Sequence, residues 1–376
     1  MAKNTAEINV RQSAVEEIAV DGFDHVEFHV GNALQSAYYF QKGLGFELVG
    51  YRGLETGDRE RVSYVLKQDH AFIVLTGALT PKSVVAERVH AHGDCVSTIA
   101  FKVRDARKAW ETAIARGAVS EREPEVHSDE NGEFVSAVVK TYGDTTHTLI
   151  ERRNYKGVFA PGFKAISKPL ANPVGLVSID HIVGNVEMGQ MDHWSEFYQK
   201  TFGFHVDRYF DANDISTQYS ALQSKVMINK SGSVKMPINE PAIGRRRSQI
   251  QEYLDYNLAE GVQHVAITTR DIIATVEEMK KRGIEFLSVP RTYYDGLAER
   301  GIKIDEDLEE LAKLGILVDS EDKGYLLQIF TKPVQDRPTF FFEIIQRRHG
   351  ATGFGQGNFK ALFESIERDQ ELRGNL

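Results

Sequence analysis

Phe23–Asn32, FDHVEFHVGN, followed by Ala37–Arg52, AYYFQKGLGFELVGYR, recurs along the chain as Ile179–Gln190, IDHIVGNVEMGQ, followed by Ser195–Phe210, SEFYQKTFGFHVDRYF. Both copies read as a strand carrying Asp-His, a helix ending in Gln-Lys, a turn ending in Gly-Phe and a second strand, so His25 matches His181. A second pair follows in the same order: CVSTIAFKVRDARKAWETAIARG from Cys95, and GVQHVAITTRDIIATVEEMKKRG from Gly261. Each is a β-branched strand, an Arg-Asp helix start, an amphipathic helix and a Gly stop. A third pairs THTLIERR, ending at Arg153, with TFFFEIIQRR, ending at Arg348. Three matches in one order mark a duplicated chain.

Each half therefore holds two βαβββ units. The expected fold is α+β, two open eight-stranded barrel-like halves with helices outside and a C-terminal helix. Gly and Pro concentrate near 155–175, the composition of a linker, which divides the chain into residues 1–155 and residues 156–376. Two stretches of the second half have no counterpart. The segment from Arg291 to Gly315 reads as two helices, and the tail carries Phe359, Leu362, Phe363 and Ile366 at i, i+3, i+4 and i+7. Core packing is the plain reading of that stripe, and a helix closing over a pocket is the functional one.

With 376 residues and 41% apolar content the chain has enough material for two full cores. A formal net charge of −9 argues against nucleic acid, whose partners need a basic face. The single cysteine, Cys95, excludes an internal disulfide framework and Cys-rich metal sites, and favours a reducing, cytoplasmic setting. Residues 1–22 lack the pattern of a secretory leader, and no apolar run approaches the ~20 residues of a membrane span. No dinucleotide or phosphate loop is present.

His181 in IDHIVG, His264 in VQHVAI and Glu343 in FFEIIQR lie in apolar strands, where an ionised carboxylate is costly unless paired or metal-bound. Two imidazoles and one carboxylate on three strands fit the facial triad of non-haem Fe(II) oxygenases. Taken singly, each has a plainer reading: a satisfied core histidine, or a glutamate turned to solvent by alternation. Their recurrence at matching points of successive units favours the metal. The first half keeps His25 and Glu151 but has Thr98 in place of His264, so one metal per chain is expected. The arginine runs Arg245–Arg247 and Arg347–Arg348 read as solvated or interface charge.

The motifs DHIVGNV, PINEP (Pro237–Pro241), SQIQEYL from Ser248, GVQH, LLQIFTKP from Leu326, DRPTFFFEIIQR from Asp336 and GFGQGNFKALFESIE from Gly353 resemble the 4-hydroxyphenylpyruvate dioxygenase family of the vicinal oxygen chelate superfamily. The likeness covers nearly the whole chain. It implies a ferrous enzyme of tyrosine catabolism, with His181, His264 and Glu343 on Fe(II). Its substrates would be 4-hydroxyphenylpyruvate and dioxygen, its products homogentisate and carbon dioxide. It further implies that Ser224, Asn239 and Gln249 orient the substrate, and that Phe341 and Phe359 hold its ring. Gln328 and Phe330 would share one strand face, and Phe354, Asn358 and Phe363 would lie on the closing segment. Gln263 is placed near the substrate by the family, although alternation sends it to the face opposite His264. A homodimer or homotetramer is implied as well. The competing readings are 4-hydroxymandelate synthase, with the same substrate and metal, an extradiol dioxygenase, and a non-catalytic small-molecule binder of the same fold.

Overall fold

A computed structural model describes residues 15–375 except 169–171, 213, 214, 218, 300, 301 and 322. The leader reading of residues 1–22 therefore falls largely outside the described residues, as do parts of the linker and of the 291–315 insertion. The first half runs β1 (Val20–His29), α1 (Ala33–Lys42), β2 (Glu47–Arg52), β3 (Arg61–Gln68), β4 (Ala71–Ala78), α2 (Val84–His92), β5 (Cys95–Val103), α3 (Ala106–Ala115), β6 (Ser120–Asp129), β7 (Gly132–Lys140) and β8 (Thr146–Glu151), followed by β9 (Lys164–Lys168). The second half repeats the series as β10 (Leu176–Asn185), α4 (Met191–Phe197), β11 (His205–Phe210), β12 (Ala221–Ile228), β13 (Lys235–Ala242), α5 (Gln249–Asn257), β14 (Gly261–Thr269) and α6 (Ile272–Lys281). It then inserts α7 (Arg291–Glu299) and α8 (Leu308–Leu314) before β15 (Leu317–Glu321), β16 (Gly324–Phe330) and β17 (Phe341–Arg348), and ends in α9 (Phe359–Leu372).

Strand order makes the duplication explicit. The second sheet reads β11-β12-β13-β10-β14-β17-β16-β15, and the first reads β2-β3-β4-β1-β5-β8-β7-β6 in the same sense. The first sheet has a ninth strand where eight were expected: β9, from the linker, pairs antiparallel with β2 and covers an otherwise open edge. Helix starts obey the same local chemistry in both copies. Asp105 caps α3 by accepting from Lys108 N, and Asp271 caps α6 by accepting from Ala274 N.

The helices on the convex faces are trapped between the halves. Phe40 of α1 and Phe28 of β1 pack on Phe342 at ring-centroid distances of 5.8 and 6.4 Å. In the reciprocal contact Tyr198 and Phe202, just after α4, pack on His147 of β8 at 5.6 and 5.7 Å. One apolar cluster joins the halves in this way, while smaller clusters line each barrel's concave side.

Candidate metal centre and cavity

Three adjacent strands of the second barrel, β10, β14 and β17, place His181, His264 and Glu343 side by side. Parallel pairing sets His264 opposite Phe341 and Ala266 opposite Glu343, while antiparallel pairing sets His181 opposite Ala266. Nε2 of His181 lies 3.1 Å from Glu343 Oε2, and Nε2 of His264 lies 3.4 Å from the same oxygen. One ligand atom from each lies within 4.8 Å of the others, and all three residues are buried.

Each imidazole has its other nitrogen engaged. His181 Nδ1 donates to Asp180 Oδ1 at 2.8 Å, and His264 Nδ1 donates to Gln263 Oε1 at 3.0 Å. With Nδ1 held by these acceptors, Nε2 is the nitrogen each ring has left for a metal, and it is the one beside the carboxylate. Burial pulls the Glu343 carboxyl up, but the two imidazoles outweigh it and hold it at about 2. Burial likewise opposes charge on His181, yet Glu343 and Asp180 raise it above its ordinary value. Burial lowers His264, with Glu343 only partly compensating. The donor set, two neutral-capable nitrogens and one ionised oxygen on one side of an open cavity, fits a divalent cation.

Bulges explain how neighbours on one strand share this face. Val183 pairs with His264 and Gly184 with Val262, leaving Gln263 as the extra residue. Ile179 pairs with Ile267 and His181 with Ala266, leaving Asp180 extra. An extra residue re-aims its side chain. Gln263 thus lines the cavity together with His264, where strict alternation had placed it on the opposite face.

The cavity measures about 640 Å³. Among the residues expected at the substrate, Ser224, Asn239, Gln249, Gln263, Gln328, Phe330, Phe341, Phe354, Phe359 and Phe363 line it. Asn358 does not. It is fully buried at the start of α9, and its Oδ1 accepts from the Tyr293 hydroxyl at 2.6 Å. Ser224 faces Asn239 across the β12–β13 pair, and Asn239 Nδ2 lies 3.5 Å from Asn185 Oδ1. Gln328 Oε1 and Asn185 Nδ2 are buried without hydrogen-bond partners among the described residues. His264 stacks on Phe341 at 4.9 Å, and Phe354 meets His181 edge-on at 5.4 Å. All four residues of the tail stripe, Phe359, Leu362, Phe363 and Ile366, face the cavity, so α9 forms one of its walls. The apolar residues Val183, Phe210, Ile215 and Leu222 were missed, because nothing distinguishes them in sequence from ordinary strand packing.

Two further expectations are corrected. Arg347 is not solvated charge. It forms a bidentate pair with Asp180, at 2.9 and 2.7 Å, and donates to Gly353 O at 2.7 Å. The first half repeats this strap: Arg152 pairs with Asp24, Asp24 accepts from His25 Nδ1 at 2.9 Å, and Arg152 also donates to Phe159 O. Phe159 meets His25 edge-on at 5.0 Å, as Phe354 meets His181. The signal lay in the sequence, as Asp-His and Arg-Arg recurring in both halves. Nor does Glu151 match Glu343. Thr98 pairs with Thr146 as His264 pairs with Phe341, which sets Thr148 at the place of Glu343 and Glu151 at that of Gln346. Glu151 accepts from Ala106 N at the start of α3, and Gln346 accepts from Ile272 N at the start of α6. The first half thus keeps one of the three candidate ligands.

Residues 16–163 match the family described as Hydroxyphenylpyruvate dioxygenase, HPPD, N-terminal, and residues 178–328 match the Glyoxalase/Bleomycin resistance protein/Dioxygenase superfamily. The chain is 48% identical to the 4-hydroxyphenylpyruvate dioxygenase of Dictyostelium discoideum, over 95% of this chain and 100% of the relative. It is 50% identical to that of Danio rerio, over 94% and 92% of the two chains. Among solved structures, a triple mutant of 4-hydroxymandelate synthase from Streptomyces coelicolor superposes with a TM-score of 0.84 at 29% identity, covering 94% of this chain and 100% of its own.

Proposed function

This chain belongs to the 4-hydroxyphenylpyruvate dioxygenase family, and from that premise we propose that it converts 4-hydroxyphenylpyruvate and dioxygen to homogentisate and carbon dioxide, with Fe(II) held by His181, His264 and Glu343. The observation that carries the reading is the convergence of two imidazole Nε2 atoms on one carboxylate oxygen, at 3.1 and 3.4 Å, on the wall of a cavity lined by phenylalanines and side-chain amides. When bound, the ion supplies activation of dioxygen and of the 2-oxo acid for oxidative decarboxylation.

The side chains supply position and a dry surrounding. Asp180 and Gln263 keep the protons of both histidines on Nδ1. The 2-oxo acid end of the substrate belongs beside the triad, because its anionic oxygens suit the cation. The phenol end then lies among Ser224, Asn239 and Gln249, whose hydroxyl and amide groups both donate and accept. Gln328 Oε1, buried without a partner among the described residues, is an acceptor held ready for a polar ligand atom. Phe341 and Phe359 flank the ring, while Phe330, Phe354 and Phe363 exclude water. Asn358 acts at one remove, fixing the start of α9 through Tyr293.

Metal binding is assigned to residues 156–376 and none to residues 1–155, since Thr98 and Thr148 are poor ligands for a ferrous ion. Family likeness and the single cysteine support a cytoplasmic homodimer or homotetramer; no described helix is long and apolar enough to cross a membrane. The test is anaerobic ferrous loading with 4-hydroxyphenylpyruvate, then air and chromatography of products. Homogentisate with carbon dioxide is expected. 4-Hydroxymandelate would transfer the chain to the benzylic hydroxylation of its structural neighbour, and binding without turnover would make it a carrier.

A further inference from the structure

The first barrel has a cavity of its own, about 770 Å³, at the place where the second barrel holds the site described above. Strand register shows what each wall position has become. Arg52 pairs with Ser63 as Phe210 pairs with Ser224, so Arg52 stands where the second cavity has Phe210. Two residues before those serines, Arg61 stands at the place of Leu222. Two residues after the matched histidines, Glu27 stands at the place of Val183. Three apolar wall positions of one cavity carry two guanidiniums and a carboxylate in the other.

Arg122 contributes a third guanidinium. Its Nη2 donates to Ser136 Oγ at 3.2 Å, while its buried Nε has no hydrogen-bond partner among the described residues and lies 3.6 Å from Glu125. Among the described lining residues, three arginines face one carboxylate, Glu27, which accepts from Thr76 Oγ1 at 2.7 Å. Asp58, itself largely buried, pairs with Arg52 at 2.8 Å and lies 3.7 Å from Arg61. Arg61 and Arg122 are thus ion-paired, at 3.7 and 3.6 Å, without a direct hydrogen bond to those carboxylates. The other side of the cavity is aromatic, built from Phe134, Phe159 and Phe163. Phe159 is held there by the Arg152 strap, over His25. The cleft opens to solvent, and its wall gathers three guanidiniums in a chain of net charge −9.

We propose that the first-half cavity is a second small-molecule site, taking an aryl carboxylate with its anionic end among Arg61, Arg122 and Arg52 and its ring against Phe134, Phe159 and Phe163. Guanidiniums suit a carboxylate by their paired, planar donors, and an aromatic wall suits a ring. The site is independent of the metal centre, and its test is read apart from turnover. The probe is 4-bromobenzoate, soaked into crystals of the full chain and titrated calorimetrically against it. A bromine anomalous peak in the first barrel is expected, with a solution affinity that falls about tenfold in Arg61→Gln and in Arg122→Gln, the effect of losing one charge-assisted hydrogen bond. Turnover at the second barrel stays unchanged in both variants. The proposal is overturned by a peak confined to the second barrel, by a peak at crystal concentration without any heat in solution, or by unchanged affinity in both variants.

Discussion

His264 shows how much one side chain carries. It is buried, stacked on Phe341, held by Gln263 through Nδ1 and aimed at Glu343 through Nε2. Replacing it by Ala leaves Glu343 buried with one imidazole instead of two and removes a proposed metal ligand. Ferrous affinity in His264→Ala should fall by more than the ~10–100-fold typical of losing an outer-shell partner, as read by metal titration of the apoprotein, and turnover should disappear with it. Retained affinity would withdraw His264 from the centre. Gln263 illustrates the opposite situation. Its chemistry is ordinary, and only the bulge that turns it into the cavity gives it a place on the wall.

At the scale of elements, α9 walls the cavity, and the turn before it sets where the helix begins. Gly355 sits there at φ +76°, and a Cβ at that position would run into the side-chain amide of Gln328. Gly355→Ala combines a left-handed backbone with that collision, at a cost of about 1–3 kcal/mol, and the turn has to shift. Faster proteolysis within residues 353–372 and a higher KM are expected, with ferrous affinity unchanged because no candidate ligand moves. Limited digestion and steady-state kinetics check both parts. An unaltered digestion pattern would mean that the turn does not control α9. The helix is further tied by Glu367, which accepts from Thr217 and Ser220 at 2.6 Å each, and by the Arg373–Glu252 pair at 2.7 Å.

The whole molecule offers its own control, because the strap exists twice and the metal centre is proposed once. Arg347 joins Asp180, and through it His181, to the Gly353 carbonyl ahead of the closing helix; Arg152 does the same in a half with one candidate ligand left. Removing either guanidinium takes a bidentate partner from a buried aspartate, leaving Asp24 with His25, and Asp180 with His181 and with Lys235 at 3.6 Å, so the cost stays below the ~3–5 kcal/mol of a fully broken buried pair. Arg152→Met should therefore lower Tm without touching ferrous affinity, whereas Arg347→Met should lower both; equal ferrous affinities in the two would make the strap purely structural. A pH signature accompanies the first variant. Burial pushes the Asp24 carboxyl up, but His25 and Arg152 outweigh it and hold it well below its ordinary value of 3.8. With the folded value the lower one, the stabilisation is fully present above pH ~4 and is lost as pH falls through the folded value. Arg152→Met should flatten that part of the acid-unfolding curve.

The sequence by itself determined the duplication, the βαβββ order, the amphipathic C-terminal helix and the three residues proposed for the metal, because repeats and regular periods are local patterns that survive without coordinates. It also carried the straps, written as paired Asp-His and Arg-Arg, though their charge gave no hint of burial. What only the tertiary structure decided is register. One extra residue in a strand turns Gln263 towards the cavity, and the pairing of β8 with β5 moves the counterpart of Glu343 from Glu151 to Thr148. Register is set by hydrogen bonds between strands far apart in the chain. The two faces of a strand differ by a single step, so no local reading of either segment fixes which side chains meet.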